Sequence, residues 1–351
     1  MNGQNPRRRQ GGDNWFARQW RKRPKPAWMV ITAHVLVLAA SLLLYAVPHH
    51  VMPRQEAAIG LTSSRTGAQP TATPDAAQPA ATPAPAATQA PVDGVGEFRV
   101  KFADKFTDGA LEQTENSYRS ANVNVTFSTL RHKDANVNIA DVYVADISCL
   151  TNAFGKDTFG RGSRYAEHPT TIAARYNAVA TLSGDYYGGR SDGVVIRNGT
   201  LYRDENVTRD VCVLYWDGTM KCFSPSEFNA EREMANGAYQ AWNFGPMLLT
   251  ADGLNMETFN SDVTGKHPRS IIGYYEPGHY CLIMVDGRSD ESEGLNMEYC
   301  SILAYTLGLK QAYNLDGGES ATMVKGNTVF GVPYKGGRNI SDVIMILDGN
   351  Q

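Results

Sequence analysis

Cysteine is scarce in this chain. The five residues Cys149, Cys212, Cys222, Cys281 and Cys300 are spread over 351 positions, and none sits in a Cys-x-x-Cys spacing. That excludes a disulfide-stapled miniprotein and gives no reason to expect a structural zinc site. Histidine is nearly as sparse, and only His267 and His279 fall near the motifs described below. A metal-dependent phosphodiesterase would be expected to bring more imidazole ligands than that. Net charge is also small, −3, but it conceals an asymmetry: residues 1–26 sum to +7 and the remainder to −10. The mildly acidic body lacks the basic face that nucleic-acid binding requires, so no nucleic-acid partner is expected.

Long apolar runs are missing too, with one exception. From Ala27 to Val47 no residue carries a formal charge, with Trp28 and Tyr45 near the ends and the basic block immediately before. As a helix rising about 1.5 Å per residue this stretch matches one hydrocarbon core. The positive-inside rule then leaves residues 1–26 as a cytoplasmic tail and 27–47 as a single-pass signal anchor, with everything after Pro48 outside the cytoplasm. A cleaved signal peptide has a shorter apolar region and a small-residue cleavage site, which Pro48-His49-His50 does not supply. Residues 48–91 are rich in Ala, Thr, Gln and Pro. They cannot bury enough apolar surface to order themselves and read as a disordered linker.

Residues 92–351 read as one α/β domain of mixed α+β character, with a mixed sheet, antiparallel hairpins and a strand–helix–strand crossover. Alternation predicts strands at Phe98 to Phe106, Asn122 to Leu130 and Val137 to Ile147. A short helix over Thr170 to Asn177 precedes a buried strand, Ala178 to Leu182, and Gly193 to Tyr202 and Val211 to Phe223 are hairpins. Pro225 to Tyr239 reads as a helix burying Phe228, Met234 and Tyr239. In the second hairpin a two-residue turn at Asp217-Gly218 pairs Val213 with Cys222, leaving Cys212 and Cys222 on opposite faces. A disulfide between them would need a bulge or a longer loop; Cys281 and Cys300 are the other candidate pair. The helix Gly294 to Leu307 stops at Gly308, between the strand ending at Asp286 and the strand Ala312 to Leu315. That order puts Asp286 and Asp316 at strand C-terminal ends on one side of a sheet, where ligand sites form.

The run Asn314-Leu315-Asp316-Gly317-Gly318-Glu319-Ser320-Ala321-Thr322-Met323 concentrates the chemistry. Its glycines permit a sharp turn, close approach to a ligand and backbone N–H groups aimed at an anion. Its two carboxylates and two hydroxyls suit an oxygen-rich substrate. Asp286-Gly287-Arg288 also follows an apolar strand, and Asn243-Phe244-Gly245-Pro246 is a turn. With Ser183-Gly184-Asp185-Tyr186-Tyr187-Gly188-Gly189 and Pro268-Arg269-Ser270-Ile271-Ile272-Gly273, the ordered set resembles the phosphodiester glycosidase family from roughly Val142 to Leu347.

The resemblance implies hydrolysis of a sugar-1-phosphodiester on the glycosidic side, in cell-envelope or exopolysaccharide glycans. It implies Asp286 and Asp316 as acid and base, with Glu319 a third carboxylate where the family usually has Gly or Gln. Arg269 and Arg288 recognise phosphate, a task suited to the planar guanidinium fork. Asp185, Asn243, Gly317, Gly318, Ser320 and Thr322 would bind the sugar or order the loop. No cofactor is required; a cation held by Asp286, Asp316 and Glu319 would be Ca²⁺ or Mg²⁺. The acids also fit turns that bond to their own backbone, and a non-catalytic glycan-binding or polysaccharide-assembly protein would use the same pocket.

Overall fold

The computed structural model describes residues 57–58 and 97–349. The basic tail, the apolar stretch 27–47 and all but two residues of 48–91 lie outside the described residues. Among the described residues, no helix is long and apolar enough to cross a membrane.

In chain order the principal elements are α1 (Glu97–Lys101), β1 (Glu112–Gln113), β2 (Ser117–Arg119), β3 (Val123–His132), β4 (Ala135–Val144), β5 (Leu150–Phe154), α2 (Pro169–Arg175) and β6 (Ala180–Ser183). They continue with β7 (Gly193–Arg197), β8 (Thr200–Glu205), β9 (Val211–Tyr215), β10 (Met220–Phe223), α3 (Ala230–Ala235), β11 (Ala238–Trp242), β12 (Arg269–Glu276) and β13 (His279–Val285). The last are α4 (Met297–Thr306), β14 (Gln311–Leu315), β15 (Met323–Lys325), β16 (Thr328–Phe330) and β17 (Asp342–Ile346). A seven-stranded sheet runs β14-β12-β13-β4-β3-β2-β1, and two five-stranded sheets run β8-β7-β11-β9-β10 and β16-β15-β6-β17-β5.

Every neighbouring pair in these sheets is antiparallel, which corrects the mixed sheet expected from sequence. The crossover itself is present: α4 links β13 to β14. Both strands are antiparallel to β12, which lies between them, so they run the same way without touching. Asp286 and Asp316 therefore leave the same end of the sheet, as anticipated.

Two local readings are replaced. Phe98 to Phe106 is α1 and a short 3-10 turn rather than a strand; Phe98 is buried in the central core and Phe102 packs against it. The Pro225–Tyr239 helix shrinks to α3, started by the Asn229 cap and ended before Gly237, where φ is +86°. Tyr239 belongs to β11.

Period-two alternation builds the core. Tyr280, Leu282 and Met284 of β13 face a central cluster with Leu182, Ile344, Leu214 and Trp242, which draws on all three sheets. Cys281, Ile283 and Val285 face the other way, under Leu295, Cys300 and Leu303 around α4.

The seam between the two smaller sheets is ionic. Arg197 at the end of β7 and Asp342 at the start of β17 are both buried, and Arg197 Nε donates to Asp342 Oδ2 at 2.8 Å while Nη2 lies 2.7 Å from the same oxygen. Asp342 Oδ1 accepts the Asp185 backbone N–H at 2.8 Å. Asp185 Oδ1 accepts from Arg190 Nη2 at 3.0 Å, and Oδ2 accepts the Asn243 N–H at 2.8 Å. Gly184 must be glycine here, since a Cβ would stand 2.6 Å from Asp342 Oδ1. Removing one partner from such a cluster leaves a buried charge uncompensated, at a cost of about 3–5 kcal/mol. Asp342→Ala is therefore expected to lose that much stability in urea unfolding; a loss below about 1 kcal/mol would mean that the seam is held by packing alone.

Candidate active site

A cleft of about 590 Å³ opens where the loops of all three sheets meet. Asp316, Gly317 and Gly318 enter it after β14, Arg288 after β13, and His267 and Arg269 from the start of β12. Tyr186 and Arg190 come from the turn after β6, Arg209 from just before β9, and Phe244 and Gly245 from the turn after β11. Asn260, Ser261 and Asp262 close the far wall.

Asp316 is the buried acid of this cleft. Its backbone N–H donates to Gly184 O at 3.0 Å, and Arg338 Nη2 donates to its Oδ2 at 3.2 Å. Arg338 Nε also donates to Ser320 Oγ at 2.6 Å, and Ser320 hydrogen-bonds the Asp316 carboxylate. Burial raises the Asp316 pKa to about 6 against the pull of Ser320 and Arg338, and the nearby Asp185 carboxylate adds to the rise. A carboxylic acid with that pKa changes charge close to neutrality.

The glycines serve close approach. A Cβ on Gly317 would lie 2.6 Å from Pro268 O, and Gly318, at φ +62°, donates its N–H to that same oxygen at 2.8 Å. The Gly318 N–H is thus committed to the β12 entry strand, not free for an anion as the sequence suggested. The room left above it belongs to Arg288, whose Nη2 is 3.2 Å from a hypothetical Gly318 Cβ.

The two arginines from the motifs both line the cleft, and neither has a carboxylate partner among the described residues. Arg269 is buried, with Nε donating to Leu295 O at 3.0 Å and Nη2 to Val263 O at 3.1 Å. Arg288 is exposed, lies over the Tyr334 ring at 5.0 Å and stands 3.3 Å from His267 Nδ1 through Nη2. A guanidinium only donates, so that contact makes Nδ1 the acceptor and leaves the imidazole proton on Nε2. Burial, then Arg269 and Arg288, lowers the His267 pKa and keeps the ring neutral.

Other residues expected at the site stand behind it. Asp286 does not line the cleft; its Oδ1 accepts from Asn138 Nδ2 at 2.7 Å and from the Val332 N–H at 3.0 Å. Their partners differ. Both acids lie just past their strands, beyond the last ladder pairs at Val285 and Leu315. Asn138 of β4 and the backbone just after β16 hold Asp286, whereas Arg338 bonds Asp316. Asp185 and Asn243 are buried in the seam, Asn243 Nδ2 donating to the Arg209 and Asp210 carbonyls at 3.0 Å each. Thr322 is buried beside Ser183, whose Oγ accepts the Thr322 N–H at 2.9 Å. Glu319 is half-buried and outside the cleft lining. No three His, Cys, Asp or Glu side chains among the described residues converge as a metal site, so the triad of Asp286, Asp316 and Glu319 is not assembled for a cation.

Sequence reasoning missed Arg338, Arg190, Arg209 and the Phe244 wall. Arg338 lies over the Tyr186 ring at 5.3 Å and Arg190 over Phe244 at 5.7 Å. Arg338 follows Gly336-Gly337, where φ is +81° and +85°, and that paired-glycine turn was the available signal.

The family model described as phosphodiester glycosidase matches residues 176–347. An SPbeta prophage-derived uncharacterized protein, YomE, of Bacillus subtilis (strain 168) is 32% identical over 195 residues, which is 52% of this chain and 29% of that protein. The chain thus spans less than a third of that relative's length. Among solved structures, the zebrafish N-acetylglucosamine-1-phosphodiester alpha-N-acetylglucosaminidase catalytic domain, auto-inhibited by its pro-peptide, aligns with a TM-score of 0.51 at 20% identity, over 70% of this chain and 86% of that one. At that identity the likeness is one of fold. A hypothetical protein from Synechocystis aligns at 0.49 and 12% identity, over 64% of this chain and 62% of that one. The family resemblance read from the motifs is borne out.

The raised Asp316 pKa sets a stability signature. A carboxyl protonated more readily in the folded state stabilises it fully below the unfolded value of 3.8, and that contribution is lost as pH rises through about 6. Asp316→Asn should therefore reduce the loss of stability between pH 5 and 7.5, by roughly 1 kcal/mol in chemical denaturation. An unchanged pH dependence would contradict a buried, proton-retaining Asp316.

Proposed function

We propose, from the match of residues 176–347 to the phosphodiester glycosidase family, that the protein is a hydrolase cleaving the C1–O bond of a sugar-1-phosphodiester in cell-envelope or exopolysaccharide glycans. The observation that carries the reading is the placement of Asp316 in one cleft with Arg269 and Arg288, two guanidiniums lacking carboxylate partners among the described residues. Such a pair is matched in charge and hydrogen-bonding to phosphate oxygens.

Charge development divides the labour. As the C1–O bond breaks, its electron pair passes to the phosphate oxygen, and Arg269 and Arg288 stabilise that charge where it forms. The neutral His267 presents its Nε2–H as a further donor. Asp316, ionised above about pH 6, accepts a proton from the water that attacks C1, as a stronger base than an ordinary carboxylate. Free sugar and a phosphomonoester result. Arg338 and Ser320 hold the Asp316 carboxylate in place, and Tyr186 and Phe244 offer ring faces to the sugar or its aglycone. Asp185, Asn243, Asp286, Glu319 and Thr322 act as supports behind the cleft wall. In this reading residues 27–47 anchor the chain in the membrane and 48–91 hold the domain off its outer surface.

The test is product analysis with an N-acetylglucosamine-1-phosphodiester. Free sugar is expected, with kcat/KM rising as pH passes through about 6. Asp316→Asn should cost about 10²–10⁴ in kcat, and Arg288→Ala should lower kcat as well as raise KM. Sugar-1-phosphate as the product would instead indicate cleavage of the P–O bond. Glycan binding without turnover in the parent protein would indicate a recognition module.

A further inference from the structure

We propose that Cys212 and Cys222 form a cross-strand disulfide when the folded protein meets a low-molecular-weight disulfide. The two residues are directly opposed in the register of β9 and β10, which corrects the offset pairing expected from a two-residue turn. Four residues, Trp216 to Thr219, connect these strands, and the extra length restores the two cysteines to one face. Directly opposed antiparallel residues stand about 4.5 or 5.5 Å apart between Cα atoms, depending on the pair type. Both spacings lie within the roughly 4.4–6.8 Å that a disulfide spans. The Cys222 thiol lies close enough to act on the Cys212 thiol. Cys149, Cys281 and Cys300 are each buried against groups other than thiols, namely the Asp146 and Gly349 backbone, Tyr275 and Arg269.

Access sets the order of events. Cys222 is half-buried and lines a groove of about 1000 Å³ with Met247, Tyr274 and Lys310, whereas Cys212 is fully buried. Cys222, as its thiolate, attacks one sulfur of the small disulfide; a small thiolate leaves and takes up the proton that Cys222 gave up. Cys212 Sγ then attacks Cys222 Sγ in the mixed disulfide and displaces the second small thiol, which receives the Cys212 proton. Two protein thiols are oxidised and one small disulfide is reduced to two thiols. Burial holds the Cys212 thiol well above its ordinary pKa, which leaves the first attack to Cys222.

The bond would fasten the strand that supports the cleft floor. Asp210, two residues before Cys212, accepts through its carbonyl from Asn243 Nδ2 at 3.0 Å and Tyr313 OH at 2.5 Å. Its carboxylate accepts from Asn260 Nδ2 at 3.2 Å, and Asn260 lines the cleft. This inference stands on β9 and β10 alone and is independent of the catalytic reading.

The experiment incubates the folded full chain with oxidised glutathione, then alkylates it under denaturing conditions and maps the peptides by mass. The expected result is a fall from five free thiols to three, a crosslinked 212–222 peptide, and a rise in Tm of roughly 5 °C that dithiothreitol reverses. In Cys212→Ser the glutathione adduct should persist on Cys222; in Cys222→Ser no adduct should form at Cys212. If Cys212→Ser does not fold, the peptide map of the parent protein decides. Five remaining thiols, a stable adduct on Cys222 in the parent, or a disulfide joining any other pair would overturn the proposal.

Discussion

The cleft depends on the burial of charge between the two smaller sheets. Arg197 and Asp342 are both inaccessible, and each would be costly to bury alone. Together they fix the N-terminus of β17 against the C-terminus of β7, and Asp185 and Arg190 extend the cluster to the cleft wall. Burial, with a contribution from Asp185, raises the Asp342 pKa to about 6 despite Arg197. The same Asp185 carboxylate acts on Asp316. The seam acids and the cleft acid thus belong to one electrostatic field, and Arg190 transmits its geometry by donating to both Asp185 and the Asn243 carbonyl.

A second constraint is steric. The turn after β14 passes close to the entry of β12, where Pro268 O accepts the Gly318 N–H and leaves no room for a Cβ on Gly317. This contact places Asp316 beside the segment carrying His267 and Arg269. On the other side, Asn314 donates to Gly245 O at 2.7 Å and receives support from Pro246 O through its own N–H, joining the 243–246 turn to the same strand end. One short run of residues therefore gathers loops from three sheets. Backbone carbonyls hold Arg269, and side chains hold the others: Arg338 on Asp316, His267 and Tyr334 on Arg288.

Much of the site was legible because its residues follow apolar strands at glycine turns, where pattern is strong. Asp316, Gly317, Gly318, Arg269 and Arg288 all reach the cleft. What sequence could not carry was the nonlocal partner. Asp286 and Asp316 look equivalent as acids at strand ends, yet Asn138 and the Val332 N–H take up Asp286, whereas Asp316 bonds Arg338 and lines the cleft. Nor could sequence show that Asp185 and Asn243 would be consumed by the buried seam, since their partners Arg197, Asp210 and Asp342 come from other elements. The crossover was readable from the order of strand, helix and strand. The antiparallel β12 inserted between its two strands was not, because strand order depends on nonlocal pairing.

The central claim is that the cleft breaks the bond between the sugar and the phosphate oxygen, with the guanidiniums on the leaving group and Asp316 on the water. The most direct measurement is hydrolysis of a sugar-1-phosphodiester in ¹⁸O-labelled water, with the label located in the products by mass spectrometry. The account predicts that the phosphomonoester is unlabelled and that the sugar carries the label at C1. Label in the phosphate would place the attack at phosphorus and contradict it.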